Sequence, residues 1–313
     1  MFTLLNSTNK QSVRVYGPAS LSNLGPGFDT LGLCLKGIGD IIEARFTSGH
    51  EITITSSAPI PLVASDNTAG RAAHLVMTKA ADKRGLHLSI KKGIPLGSGI
   101  GGSAASASAG AWAANLLLGT PFSKEELAHA VLEAERLASG GTLHGDNALP
   151  SLFGGLVLTS PAKPLDYRCI QLSTPLHLAV VMPKRSILTA DARTILPSAV
   201  PRIEAVHNAS DLAFMLHAFI TGNWEAVSPY MMRDRVVEPA RASLVPCYHA
   251  VREAAMDAGA YGAALTGSGP AMFAIARDSD SVSKVCDAMV RAAGEGARGI
   301  VTEADVHGVR QCS

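Results

Sequence analysis

The segment Ile94-Pro95-Leu96-Gly97-Ser98-Gly99-Ile100-Gly101-Gly102-Ser103-Ala104-Ala105-Ser106 decides how the rest of the chain is interpreted. Four glycines in six positions remove the Cβ atoms that would keep an anion away from the backbone. They also allow the positive φ angles that turn successive N–H groups inward. An Ala- and Ser-rich run follows, and the N-terminus of a helix there would offer unpaired N–H groups. The segment therefore predicts a phosphate-binding loop, with Ser103 either as the helix N-cap or as the ligand of a divalent ion.

Two other interpretations of this loop stay open at the level of sequence. Gly97, Gly99 and Gly102 fit the G-x-G-x-x-G pattern of dinucleotide-binding folds, but no second buried parallel strand ending in an acidic residue follows at the usual interval. The pattern G-x-x-x-x-G-K-[ST] of P-loop enzymes is absent. A tight turn packed against a small-residue helix would need the same glycines and no ligand.

Strands and helices alternate on both sides of the loop. Val13–Tyr16 alternate weakly before the turn-rich stretch 17–29, and short strands over 41–46 and 52–55 are expected to form a hairpin through a turn at 47–50. The further predicted elements are strands over 86–90, 154–159, 176–182, 271–276 and 299–304 and helices over 68–84, 103–118, 123–138 (opened by a Ser123–Glu126 capping box), 211–221, 243–258 and 281–293. This order predicts an α+β fold with antiparallel sheets. The length and the prolines at 161 and 164 predict two domains, residues 1–160 and 161–313.

The composition excludes several classes of protein. Lys and Arg number 27 and Asp and Glu 26, so the net charge of +1 disfavours a basic nucleic-acid binder. Hydrophobic residues make up 47% and charged residues 17%, which excludes global disorder. The five cysteines are scattered without a C-x-x-C pair, which is typical of a reducing compartment. With no secretory signal visible at the N-terminus, we expect a cytoplasmic protein.

One uncharged stretch is long enough to span a bilayer. It lies between Lys92 and Lys124, but it opens with Gly, Ser and Pro and consists mainly of Ala. We interpret it as a buried loop and helix and expect no membrane partner.

Three motifs in this order resemble those of the GHMP kinases, which phosphorylate small alcohols. They are SNLGPGFD at 22–29, the glycine-rich loop at 95–105, and GAALTGSGP at 262–270. Four segments, SNLGPGFDTLGL at 22–33, HGDN at 144–147, TADAR at 189–193 and EPAR at 238–241, are most similar to the branch of that family that phosphorylates homoserine. The resemblance implies a ribosomal S5-like N-terminal domain, a ferredoxin-like C-terminal domain and an active site between them. It also implies ATP and Mg²⁺ as cofactors, and a role in threonine biosynthesis.

The resemblance further implies how a homoserine molecule would be held. Arg193 and Arg241 would bind its carboxylate, Asp29 its ammonium group, and Asn23, His144 and Asn147 its amino and hydroxyl groups. The expected catalytic residues are Asn147, Thr189 and Arg193. Asn147 occupies the position of an aspartate base in several relatives, so we expect phosphoryl transfer without a carboxylate base. The structural alternatives are that Arg241 pairs only with Glu238 on a solvated face and that Asp29 caps a turn.

Nucleotide and metal contacts follow from the same resemblance. The expected nucleotide-binding residues are Asn67, Pro95, Leu96, Gly97, Ser98, Gly99, Ile100, Gly101, Gly102, Ser103, Ala104, Ala105, Gly267 and Gly269. Asn67 could equally be a plain helix N-cap. Ser103 and Glu135 are the expected magnesium ligands, with Glu133 as a competing choice because one extra residue precedes HGDN. Gly102 stands where the family usually has the first of two serines before Ala-Ala.

Two other functions stay open, and so does the oligomeric state. The chain could phosphorylate another small alcohol, such as a sugar or a mevalonate-like acid, or it could be a non-catalytic nucleotide-binding regulator. A homodimer is one alternative to a monomer.

Overall fold

Two sheets and ten helices make up the described part of the chain. The structure, a computed structural model, describes residues 12–138 and 140–312. The strands of the first sheet are β1 (Val13–Asn23), β2 (Gly27–Thr47), β3 (Ile52–Ser56), β4 (Gly85–Lys91), β5 (Leu156–Ser160), β6 (Lys163–Ile170) and β11 (Arg310–Gln311). Those of the second are β7 (His177–Met182), β8 (Gly262–Leu265), β9 (Met272–Ala276) and β10 (Arg298–Glu303). The expected α+β fold is confirmed.

The helices cover the sheets and connect them. They are α1 (Thr68–Lys79), α2 (Gly102–Leu117), α3 (Lys124–Glu135), α4 (Gly145–Phe153), α5 (Thr189–Thr194), α6 (Arg202–Thr221), α7 (Trp224–Met231), α8 (Val237–Ala242), α9 (Tyr248–Asp257) and α10 (Ser279–Ala293). The short α8 was not predicted, and the helix expected over 243–258 begins only at Tyr248. The predicted capping box of Ser123 and Glu126 at the start of α3 is confirmed.

The strand order of the first sheet is β11-β1-β2-β4-β3; β5 pairs with the N-terminal part of β2, and β6 pairs with β5. The expected hairpin between β2 and β3 is wrong, because β4 lies between them and pairs parallel with β3 and antiparallel with β2. The second sheet is antiparallel, in the order β10-β7-β9-β8. The boundary at residue 160 stays a prediction; β6, which follows it, pairs with β5 in the first sheet.

The stretch at 17–29 is strand for much of its length, contrary to the expectation of turns. Its small residues serve close packing: a Cβ on Gly17 would lie 2.1 Å from the carbonyl oxygen of Ala105 in α2. A Cβ on Gly32, further along β2, would lie 1.6 Å from the carbonyl oxygen of Asp146 in α4. These glycines therefore let the helices that carry the site approach the sheet.

The helix α2 is buried on nearly all sides, as the Ala-rich sequence predicts. Thirteen of its residues are buried, and it packs against β1, β2 and α1. A hydrophobic cluster joins the two sheets. It contains Leu21 and Leu33 from the first sheet and Val180 and Phe273 from the second sheet. Within the residues that the structure describes, no helix has the length and hydrophobicity needed to cross a membrane.

Candidate active site

The three sequence motifs meet in one cleft of about 360 Å³. The backbone N–H of Ala271 donates to the carbonyl of Ser98 in the glycine-rich loop at 3.0 Å. The N–H of Gly267 donates to the carbonyl of Ser22 at 3.3 Å, and the N–H of Ser22 donates to Thr266 Oγ1 at 3.0 Å. The C-terminal motif is therefore bonded to the N-terminal motif, and the residue that follows it is bonded to the loop.

Most of the predicted site residues border this cleft. They are Asn23, Asp29, Asn67, Pro95, Leu96, Gly97, Ser98, Gly99, Gly101, Gly102, Ser103, Glu135, His144, Asn147, Arg193, Arg241 and Gly267. Ile100, Ala104 and Ala105 are instead fully buried, and Gly269 lies behind the loop with its carbonyl oxygen facing Gly99. Thr189 begins α5, and its side chain lies outside the described part of the structure.

The glycine-rich loop has the backbone conformation expected of an anion site. Gly97, Gly99 and Gly101 have φ angles of 65°, 85° and 67°. A Cβ on Gly99 would lie 2.6 Å from the carbonyl oxygen of Gly269, so this position also requires glycine for the C-terminal motif to approach. The loop ends at the N-terminus of α2, where free N–H groups favour a negative ligand.

Ser103 is not the N-cap of α2. Gly101 occupies that position in a left-handed conformation, and Ser103 lies in the first turn. Its hydroxyl donates to Glu135 Oε1 at 2.6 Å. Ser103 is not at the N-cap because the helix already begins at Gly102, one residue earlier.

Ser103 and Glu135 form a pair of hard oxygen donors at the end of the loop. Glu135 is 8% exposed, and burial, opposed in part by the Ser103 hydrogen bond, raises its pKa to about 7. Glu133 instead contacts Arg136 at 3.6 Å and does not border the cleft. In the described residues no cluster of three or more Asp, Glu, His or Cys side chains forms a metal cage. A hydroxyl and a buried carboxylate fit Mg²⁺, which takes its remaining ligands from phosphate and water.

Asn67 is an N-cap. Its Oδ1 accepts from the N–H groups of Ala69 and Gly70, and its Nδ2 donates to the carbonyl of Pro61 at 2.8 Å. The side chain is 5% exposed, so it holds the start of α1 at the edge of the cleft. The capping role of Asn67 is thus observed, and its contact with a nucleotide base stays a prediction.

The cleft also carries charged side chains of both signs. Arg193 Nη2 donates to Asp29 Oδ1 at 2.8 Å, and His144 Nδ1 lies 3.4 Å from Asp29 Oδ2. Burial lowers the pKa of His144, which favours the neutral imidazole. The centre of the Phe28 ring lies 5.5 Å from the guanidinium carbon of Arg193 and 5.1 Å from that of Arg241.

Arg241 is buried, so a solvated pair with Glu238 is excluded. Its Nη1 donates to the carbonyl of Gly267 at 2.7 Å and its Nε to the carbonyl of Ala192 at 3.3 Å. Burial, and then the neighbouring Arg193, lower its pKa to about 10, which keeps it charged at neutral pH. Glu238 instead accepts hydrogen bonds from Tyr248 and from the N–H of Leu265.

The amides at the centre of the cleft are held in fixed orientations. Asn147 Oδ1 accepts from the Ser20 hydroxyl at 2.9 Å, and its Nδ2 donates to the Ser22 hydroxyl at 3.0 Å. Asn23 has a φ of 72°, donates to the carbonyl of Gly267 and accepts from the N–H of Asp29. The side chain beside Asn147, Asp146, is 4% exposed, and burial raises its pKa to about 7.

Several residues of the site were missed at the level of sequence. Ser20 and Ser22 fix Asn147, Phe28 holds the arginines, and Lys92 and Ser106 border the cleft below the loop. Lys92 had a signal, because it is the last charge before a long uncharged stretch. Ser20 had none, since its strand was interpreted as a turn, whereas Ser22 and Phe28 lie within the N-terminal motif without having been assigned a role.

A phosphate loop and side chains of both charges that line one cleft can bring a phosphate donor to a small zwitterionic acceptor. This arrangement defines a small-molecule kinase. The family model described as GHMP kinases N terminal domain matches residues 67–155, and the one described as GHMP kinases C terminal matches residues 215–296.

Proteins with the same fold include close relatives. The homoserine kinase of Pyrococcus furiosus is 36% identical over 272 residues, which are 87% of this chain and 91% of that protein. The homoserine kinase of Chlorobium phaeovibrioides is 35% identical over 296 residues, 90% and 92% of the two chains. The crystal structure of homoserine kinase from Cytophaga hutchinsonii superposes with a TM-score of 0.94 at 31% identity and covers 99% of this chain and 100% of that one. The chain belongs to the homoserine kinase family of the GHMP kinases and has their two-domain fold.

Proposed function

We propose that the protein transfers the terminal phosphoryl group of ATP to the side-chain hydroxyl of L-homoserine, with Mg²⁺. The observation that carries this proposal is that Asp29, Arg193 and Arg241 line the same cleft as the glycine-rich loop. An ammonium group and a carboxylate on one small acceptor match an Asp and two Arg side chains. The product, O-phospho-L-homoserine, would serve threonine biosynthesis.

The chain's own residues would mainly position the reactants. The loop N–H groups bind the phosphate chain, and the amide of Asn147, held by two serines, orients the acceptor hydroxyl. The bond between the terminal phosphorus and ADP breaks as the hydroxyl oxygen bonds to that phosphorus, and the hydroxyl proton leaves to a phosphate oxygen or to water. Ser103 and Glu135 would hold Mg²⁺, which when bound supplies positive charge to the phosphate oxygens. Thr189 stays a predicted contact of the transferring group.

Other small alcohols fit the pocket less well. A neutral sugar offers no charged group to Asp29, Arg193 or Arg241, and a mevalonate-like acid has no ammonium group for Asp29. A non-catalytic regulator would not need an acceptor pocket at the end of the loop. Cytoplasmic location and the oligomeric state stay predictions.

A coupled ADP-release assay with matched acceptors tests the proposal. 3-Amino-1-propanol lacks the carboxylate of homoserine, 4-hydroxybutyrate lacks its ammonium group, and L-2-aminobutyrate lacks its hydroxyl. We expect homoserine to have the highest kcat/KM, the two truncated alcohols to lose about 10-fold or more each, and L-2-aminobutyrate to inhibit without turnover. Faster turnover of galactose or mevalonate would refute the assigned acceptor. ATP binding with no turnover of any alcohol would favour the regulator.

A further inference from the structure

A buried ion pair lies directly beneath the glycine-rich loop. Lys92 follows β4, Asp40 lies on β2, and their side chains are bonded to each other while being 8% and 0% exposed. Neither residue is required by the chemistry described above. A buried pair persists only when hydrogen bonds satisfy both of its charges, so its remaining partners indicate what it does.

The carboxylate of Asp40 joins the two ends of the loop. Its Oδ1 accepts from the backbone N–H groups of Gly93 at 3.0 Å and Ile94 at 3.2 Å, where the chain enters the loop. Its Oδ2 accepts from Lys92 and, at 2.7 Å, from the hydroxyl of Ser106 in the first turns of α2, where the chain leaves the loop. Both ends are therefore fixed to one side chain of β2.

The ammonium group of Lys92 is fully used within the protein. It has three N–H donors. They reach Asp40 Oδ2, the carbonyl of Gly102 at 2.8 Å and the hydroxyl of Ser106 at 3.0 Å. Lys92 borders the cleft, yet this bonding directs its N–H groups toward the exit end of the loop.

We propose that Asp40, Lys92 and Ser106 form a brace that positions the glycine-rich loop for a nucleotide phosphate chain. The brace holds residues 93–94 and 102–106 at a fixed separation, so the N–H groups between them keep their inward orientation before the nucleotide binds. The three are positioning residues, because they act through the backbone of the loop. The inference rests on the proposed function only in taking the loop's ligand to be a phosphate chain.

A comparison of ADP binding with adenosine binding tests the brace. Affinities for ADP and for adenosine, which has no phosphate, are measured by calorimetry for Lys92→Met, Asp40→Asn and Ser106→Ala. Lys91→Met is the matched control, because Lys91 is the exposed neighbouring lysine. Thermal unfolding confirms that each variant is folded, and Ser106→Ala keeps the ion pair in case the other two do not fold.

We expect Lys92→Met and Asp40→Asn to weaken ADP binding by about 10-fold and Ser106→Ala by about 3-fold, with adenosine binding unchanged. The KM for ATP should rise in parallel, while homoserine affinity measured without nucleotide stays constant. Equal losses for ADP and adenosine, or unchanged ADP binding in folded variants, would overturn the brace.

A wild-type chain that bound ADP but did not phosphorylate homoserine would refute the proposed function alone, and the effect of the variants on the ratio of ADP to adenosine affinity would still decide on the brace. A wild-type chain that bound no ADP would refute both.

Discussion

Arg193 and Asp29, which lie 164 positions apart in sequence, are joined by a 2.8 Å hydrogen bond from Nη2 to Oδ1. These are the two groups that we expect to bind opposite ends of a zwitterion. Their side chains are 28% and 13% exposed, so either charge alone in the cleft would lack full solvation. The two opposite charges thus compensate each other before the substrate binds. A zwitterionic acceptor can replace each partner of the pair, whereas a neutral alcohol can replace neither.

Removal of the carboxylate of this pair should weaken acceptor binding. We expect Asp29→Asn to cost about 1.5–3 kcal/mol of homoserine binding, because the ammonium group loses a charged hydrogen bond and Arg193 loses its partner. Arg241→Ala should cost a similar amount of about 1.5–3 kcal/mol through the carboxylate. Calorimetry with homoserine and with ADP separates the two sites, since ADP affinity should not change.

The control for these variants is Arg168→Ala, which removes an arginine that pairs with Asp166 on the exposed strand β6. It should change neither affinity. Equal losses of homoserine and ADP affinity in Asp29→Asn or Arg241→Ala would show that the residue supports the fold and does not bind the acceptor.

The metal assignment can be tested with two glutamates on one helix. Ser103→Ala and Glu135→Gln should raise the Mg²⁺ concentration for half-maximal activity by about 10-fold, because each removes one of the two protein oxygens near the phosphates. Glu133→Gln is the matched control and should leave the Mg²⁺ requirement unchanged, since Glu133 contacts Arg136 outside the cleft. A titration of activity against Mg²⁺ at saturating ATP measures this. If Glu133→Gln shifted the requirement and Glu135→Gln did not, the assignment would be reversed.

The sequence predicts the loop, the α+β class and most of the residues around the cleft, because these depend on glycine spacing and short motifs. It fails where distant parts of the chain decide the structure. The glycines at 17 and 32 suit turns equally well until α2 and α4 are known to pack against them. The pairing of β3 with β4 depends on where a strand 29 residues further along the chain inserts, from Ser56 to Gly85. The bond between Asp29 and Arg193 has no local signal at all.

Catalysis without a carboxylate base gives a prediction about Asp146. This side chain borders the cleft next to Asn147 in sequence, and burial raises its pKa to about 7, so it is a carboxyl group that could act as a base if one were needed. We expect Asp146→Asn to lower kcat by less than about 10-fold, whereas the loss of a general base lowers rates by about 10² to 10⁴. Profiles of kcat against pH for the wild type and the variant measure this.

At saturating Mg²⁺, which keeps Glu135 ionised, the wild-type profile should show no rise through pH 7, because a hydroxyl attacking a loose transition state does not require prior deprotonation. Asp166→Asn, on an exposed strand, is the control. A wild-type rise near pH 7 that is lost together with about 10² or more of kcat in Asp146→Asn would identify Asp146 as the base.

A buried carboxyl next to the substrate arginine makes stability depend on pH. Glu238 is 7% exposed, and burial raises its pKa from 4.5 to about 7 despite hydrogen bonds from Tyr248 and the N–H of Leu265. Between these two values the unfolded chain loses the proton and the folded chain keeps it, so unfolding becomes more favourable as the pH rises. This loss of stability is absent below the pKa of Glu238 in the unfolded chain and complete above its pKa in the folded protein.

Wild-type stability should therefore fall from pH 5 to pH 8 by about 2 kcal/mol more than that of Glu238→Gln, whose amide oxygen can accept the same two hydrogen bonds. Urea unfolding at the two pH values measures the difference, with the exposed Glu253→Gln as a control that should behave like the wild type. If Glu238→Gln showed the same pH dependence as the wild type, Glu238 would already be ionised at pH 5 in the folded protein, and its burial would not set the stability of the segment that carries Arg241.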